Sequence, residues 1–124
     1  MTVPFTKAWR RRVMLTDMAI EQHWGCFYCQ VRMLSPDVVP DGHRLRATFD
    51  HVKAESRGGG FWRGNLVVAC WECNNRKGSL DLDSEEAVTF YRWVAQKMRR
   101  RLHGALPAAL TDLVASRDRE PAFD

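Results

Sequence analysis

The stretch Ala69–Gly78, ACWECNNRKG, decides how this chain folds. It holds a C-x-x-C pair, Cys70 and Cys73, and runs at once into two asparagines, an arginine and a lysine. Alone, such a pair reads as a redox dithiol, as half of a zinc site, or as two unrelated thiols. A second pair, Cys26 and Cys29 in CFYC, accounts for the other two of the four cysteines. A thioredoxin-like dithiol needs one pair in a βαβ setting, and that pattern is absent. A reducing compartment disfavours disulfides. Two knuckles that each aim two thiolates at one ion read as a tetrahedral four-cysteine zinc site. Residues 30–69, forty in all, separate the knuckles, where a compact zinc ribbon has about 15–20. A structural unit is therefore inserted between them.

The chain has 124 residues, with 45% hydrophobic and 27% charged side chains, as in an ordinary globular domain. That is enough for one domain with a core: residues 1–116, with the inserted unit and its knuckles at 24–78, and 117–124 as a frayed tail. No apolar run approaches the ~18 residues of a membrane span, and the N-terminus lacks an apolar signal core, so a cytoplasmic protein is expected. The formal net charge is +4 and the pI about 9.1. The charge is clustered at Arg10–Arg12, at Arg99–Arg101 and at Arg76–Lys77. Clustered Arg and Lys suit the phosphates of nucleic acid, or form a solvated basic face with no partner.

A helix is predicted from Thr6, as N-cap, to His23, with Phe5, Trp9, Val13 and Ile20 at near-helical spacing, Met14 and Met18 beside them, and Gly25 as the stop. Leu45, Ala47 and Phe49 alternate with Arg46 and Thr48, a strand pattern. A loop with Gly58, Gly59 and Gly60 follows, then a second strand, NLVVAC, feeding Cys70. Trp71 to Gly78 suits a short helix. The clearest helix spans Asp83–Gly104, with Asp83 and Glu86 as a capping box and Val88, Tyr91, Ala95, Met98 and Leu102 as its apolar face. Residues 107–116 suggest one more short helix. The inserted unit is thus a ββα unit clamped by zinc, in an α+β domain.

The polar residues of that unit carry chemistry. Asp50 and His51 end the first strand, Asn65 closes the loop, and Asn74 follows Cys73 on the helix. Asp and Asn oxygens are hard ligands suited to Mg²⁺ or Mn²⁺. A neutral His is the best side-chain base near pH 7. Such a set matches metal-assisted phosphodiester hydrolysis. Each residue alone has a duller reading: a strand end, a turn asparagine, a solvated basic face.

In this order the residues resemble the HNH endonucleases of the zinc-stabilised ββα-metal type: FDHV, then SRGGG, then NLVVACWECNNRKG, with CFYC upstream. The resemblance implies roles for the positions that match. His51 is the general base, Asp50 and Asn74 bind the catalytic metal, and Asn65 tethers the loop and orients His51. The last position is Asn rather than His, which makes this an H-N-N variant. Arg57, Arg76 and Lys77 are candidate DNA contacts, with Asn75 as the rival to Asn74. Phe61 and Trp62 depart from the family's small or polar residues and either pack on the loop or stack on a base. Structural Zn²⁺, catalytic Mg²⁺ or Mn²⁺, and DNA as partner follow, with RNA as an alternative substrate. One site cuts one strand per event, so double-strand cleavage calls for a homodimer, a second binding event or a larger bacterial or phage assembly. The competing reading is a zinc-ribbon DNA-binding module without catalysis.

Overall fold

The structure is a computed structural model that describes residues 6–105. Helix α1 (Lys7–Glu21) leads to strand β1 (Ala47–His51), strand β2 (Leu66–Cys70), helix α2 (Trp71–Lys77) and helix α3 (Ala87–Ala105). Single 3-10 turns at Glu55–Arg57 and Arg63–Asn65 lie between the strands. The ββα unit is present as expected. β1 and β2 pair antiparallel, with Asp50 opposite Val67 and His51 opposite Leu66. The short helix and tail expected after residue 106 lie outside the described residues. Among the described residues, no helix is long and apolar enough to cross a membrane.

Thr6 caps α1, its side chain accepting from the Trp9 amide at 3.1 Å. The helix ends at Glu21, two residues earlier than expected, because His23 and Trp24 turn left-handed with φ of 55° and 59°. Trp24 then donates to the Ala19 carbonyl at 2.7 Å, closing the last turn. The predicted apolar stripe of α1 is corrected. Trp9, Val13 and Ile20 are exposed, and the buried residues are Leu15, Met18 and Ala19. β1 is also shorter than its alternation implied. Ala47 and Asp50 are its buried positions, while Phe49 is half-buried.

A sheet of two strands leaves β2 with a free edge. Here Gln22 covers it. Its amide donates to the Val68 carbonyl at 2.8 Å and accepts from the Val68 N–H at 3.0 Å, as a strand residue would. Phe27 N–H also reaches the Val68 carbonyl, at 3.1 Å. The core then fills between α1, the sheet and α3, from Leu15, Met18, Met33, Leu66, Val68, Phe90 and Val94.

α3 begins at Ala87, four residues after the predicted cap. Asp83 and Glu86 form no capping box; the approach is a turn in which Ser84 Oγ donates to the Asp81 carbonyl at 2.7 Å. Its inward face is also corrected. Ala87, Phe90 and Val94 are buried, whereas Val88, Tyr91 and Leu102 are exposed. Tyr28 takes Phe90 edge-on, ring centroids 5.1 Å apart, which fixes the rotation of α3. Phe90→Ala is therefore expected to destabilise the fold by about 3–5 kcal/mol, while Tyr91→Ala, at an exposed position, costs under about 0.5 kcal/mol. Urea unfolding of both variants checks the assignment.

Candidate active site

The four cysteines converge. All are buried, and their sulfurs lie within 4.8 Å of one another. Cys29 Sγ and Cys70 Sγ are 3.9 Å apart. Zn–S bonds of about 2.3 Å in a tetrahedron put sulfurs about 3.8 Å apart, so the cluster is placed to hold one metal ion such as zinc. Backbone amides point at the sulfurs: Tyr28 N–H and Cys70 N–H at Cys26 Sγ (3.4 and 3.3 Å), and Cys73 N–H at Cys70 Sγ (3.4 Å). Hydrogen bonds from Cys26, Cys70 and Cys73 pull Cys29 below the ordinary thiol range. Bonding to Cys26 and Cys29 pushes Cys70 and Cys73 above it. Cys26 is lowered as well, so two sulfurs are favoured as thiolates at their neighbours' expense, but four thiolates in this volume require a cation.

Lys97 supplies part of that charge. Its ammonium sits 3.4 Å from Cys70 Sγ and 3.5 Å from Cys73 Sγ, with Glu72 at 2.7 Å. Burial opposes its charge, but Glu72 and the two sulfurs outweigh burial and hold its pKa above the ordinary lysine value. A lysine in the middle of α3 carried no such signal in the sequence; it becomes visible only when α3 packs on α2.

Because Cys70 ends β2 and Cys73 lies in the first turn of α2, the cluster fixes the β2–α2 corner. The corner in turn fixes Asn74. Asn74 Nδ2 donates to the Phe49 carbonyl at 2.7 Å and to Thr48 Oγ1 at 2.9 Å, tying α2 to β1. Both amide protons are committed, which leaves Oδ1 as the acceptor. Asn75 is exposed and forms no part of the cavity described next.

A cavity of about 350 Å³ opens where β1 meets the end of α2. Asp50, His51, Asn74 and Lys77 all line it. Among the described residues the His51 side chain has no hydrogen-bond partner; its nearest ring is Phe61, at 6.0 Å. Asp50 is buried between two donors, the Tyr28 hydroxyl and the Lys77 ammonium, the latter at 3.2 Å. Burial and the Asp50 carboxylate push the Tyr28 phenol above its usual range, so it stays a donor. Neither Tyr28 nor Lys77 was expected beside Asp50.

Lys77 calls for a correction. As a candidate DNA contact it should be exposed, yet its side chain is 1% accessible. Its ammonium bridges Asp50 and the His51 carbonyl, at 3.1 Å. The other two candidates do face solvent. Arg57 pairs with Asp81 at 3.2 Å and is half-exposed, and Arg76 is exposed, 5.5 Å over the Trp93 ring.

Asn65 ties the glycine loop to the segment that follows β1. Its Oδ1 accepts from Lys53 N–H at 2.9 Å, and its Nδ2 donates to the Lys53 and Gly60 carbonyls at 3.1 and 2.9 Å. The fit needs Gly59, where a Cβ would lie 1.8 Å from the Lys53 oxygen. Phe61 packs edge-on against Phe49, centroids 5.1 Å apart, beneath the Arg11 guanidinium at 4.2 Å. Trp62 is more than half exposed. His43 is a turn residue, its Nδ1 accepting from Leu45 N–H at 3.1 Å.

Residues 39–80 match the model of the HNH endonuclease family. No curated protein matches the chain. The HNH segment spans Asp50, His51, Asn65, Cys70, Cys73, Asn74 and Lys77, and leaves the first knuckle outside. The match supports a nuclease-type function related to DNA.

Within the HNH segment, Lys77→Met strands the buried Asp50 charge. It is expected to cost about 3–5 kcal/mol of stability, and millimolar Mg²⁺ should recover part of that loss in the variant more than in wild type. Thermal unfolding with and without Mg²⁺ reads both.

Proposed function

We propose that this chain is a metal-dependent DNA endonuclease that hydrolyses phosphodiester bonds. The observation that carries the reading is the gathering of Asp50, His51 and Asn74 around one open cavity inside the segment that matches the HNH family. The donor set suits a hard divalent ion, since Asn74 Oδ1 is uncommitted and a carboxylate with two donors keeps further lone pairs. Asp50 and Asn74 would hold Mg²⁺ or Mn²⁺, which when bound stabilises charge on the phosphate and on the leaving oxygen.

The chain's own groups do the rest. His51, in neutral form, accepts the proton of the attacking water. Its imidazole is free to do so because its backbone, not its ring, is what Lys77 and the sheet hold. Lys77 keeps the buried carboxylate of Asp50 compensated, and Tyr28 fixes its orientation. Asn65 pins the loop that follows His51. Arg57 and Arg76 are the candidate backbone contacts. The four cysteines hold Zn²⁺ and keep α2 against the sheet. A reducing cytoplasm, where the thiols stay available to zinc, is the compartment this reading expects. Double-strand cleavage calls for two chains or two binding events.

Supercoiled plasmid incubated with protein in Mg²⁺, in Mn²⁺ and in excess EDTA tests the proposal, beside His51→Ala. Metal-dependent nicking that falls by about 10²–10⁴ in the variant is expected. Equal cleavage by the variant would remove His51 as the base. No cleavage by either protein, with zinc still bound, would leave a DNA-binding module.

A further inference from the structure

A second cavity, of about 430 Å³, lies at the other end of β1 from His51. Arg44, Lys97, Arg100 and Arg101 line it with Trp93, and Glu72 is its one carboxylate. That carboxylate is already paired, with Lys97 at 2.7 Å. Arg101 is anchored by donating to the Cys29 carbonyl at 2.5 Å. Arg44 and Arg100 are exposed, and among the described residues their guanidinium groups have no carboxylate or hydrogen-bond partner.

The spacing explains the convergence. Residues 93, 97, 100 and 101 of α3 follow the i, i+4, i+7, i+8 pattern and share one face. That face meets the segment just before β1, which contributes Arg44. Four cations around a concave pocket with one neutralised acid repel one another, and a bound anion relieves them. The side wall is Trp93, already flanked by Arg76 at 5.5 Å and by Lys97 at 5.3 Å. With cationic donors on its walls and its one carboxylate already paired, the cavity suits phosphate rather than a nucleobase.

We propose that this cavity is a second phosphodiester-backbone site, engaging the nucleic acid away from the cut. The inference rests on the nuclease reading for its choice of ligand. Arg76, on the exposed side of α2, continues the positive track from the cavity toward Asn74. The two cavities lie at opposite ends of β1 (Ala47–His51), so a strand that occupies both runs past α2.

The test is the charge reversal of two exposed residues, Arg44→Glu with Arg100→Glu, against Lys7→Glu with Arg92→Glu, which changes net charge equally at exposed positions outside the cavity. Zinc content and far-UV circular dichroism confirm that each variant folds. Fluorescence anisotropy with a labelled duplex of roughly 24 base pairs reads affinity across a salt series. The cavity variant is expected to bind at least about tenfold more weakly than the control at low salt, and to lose about 1.8 from the slope of log K against log salt, two contacts at ~0.9 each. Phosphate-ethylation interference is expected at a phosphate away from the cut and to vanish in the cavity variant. A cavity variant that binds like the control overturns the proposal. The nuclease reading fails separately, if wild type binds the duplex but never cleaves it with any metal.

Discussion

Four sulfurs from two distant knuckles meet at the corner between β2 and α2. That corner is the constraint from which the rest follows. α2 has seven residues, too few to be stable by itself. With Cys70 as its N-cap and Cys73 in its first turn, it is held by the same cluster that anchors CFYC. A helix so fixed delivers Asn74 to Phe49 and Thr48, and Lys77 to Asp50, one turn apart. The site depends on this because neither strand nor helix alone brings those side chains together.

The second consequence is electrostatic. Asp50 is one of few buried charges, and Lys77 and Tyr28 make its burial tolerable. A buried pair is costly to break because the remaining charge cannot reach water. The same Lys77 ammonium donates to the His51 carbonyl, so the charge balance of the carboxylate and the position of the proposed base are one arrangement. Lys97 of α3 plays a comparable part for the sulfur cluster.

Much of this was legible in the sequence because it is local. The cysteine spacing, the order Asp50, His51, Asn65, Asn74 and the glycine loop all lie within contiguous segments whose chemistry depends on residue type. What the sequence concealed depends on rotation and burial. The apolar residues of α1 and α3 admit more than one inward face. Tyr28 against Phe90 selects Phe90 and Val94 rather than Val88, Tyr91 and Leu102. Lys77 reads as a surface cation until β1 is seen to place Asp50 beneath it. The edge cap by Gln22 spans 46 positions, and no pattern of neighbours announces it.

In the proposed mechanism labour is divided: one metal held by sulfur builds the site and another held by oxygen performs the chemistry. The most direct measurement starts from protein that retains stoichiometric zinc by metal analysis but has been freed of Mg²⁺ and Mn²⁺. Such protein is expected to melt cooperatively and to leave plasmid intact, with cleavage restored by Mg²⁺ alone. Removal of the zinc should abolish both the cooperative melt and the Mg²⁺-dependent cleavage. Cleavage by the zinc-only protein, or by protein stripped of zinc, would rule out that division between the two metals.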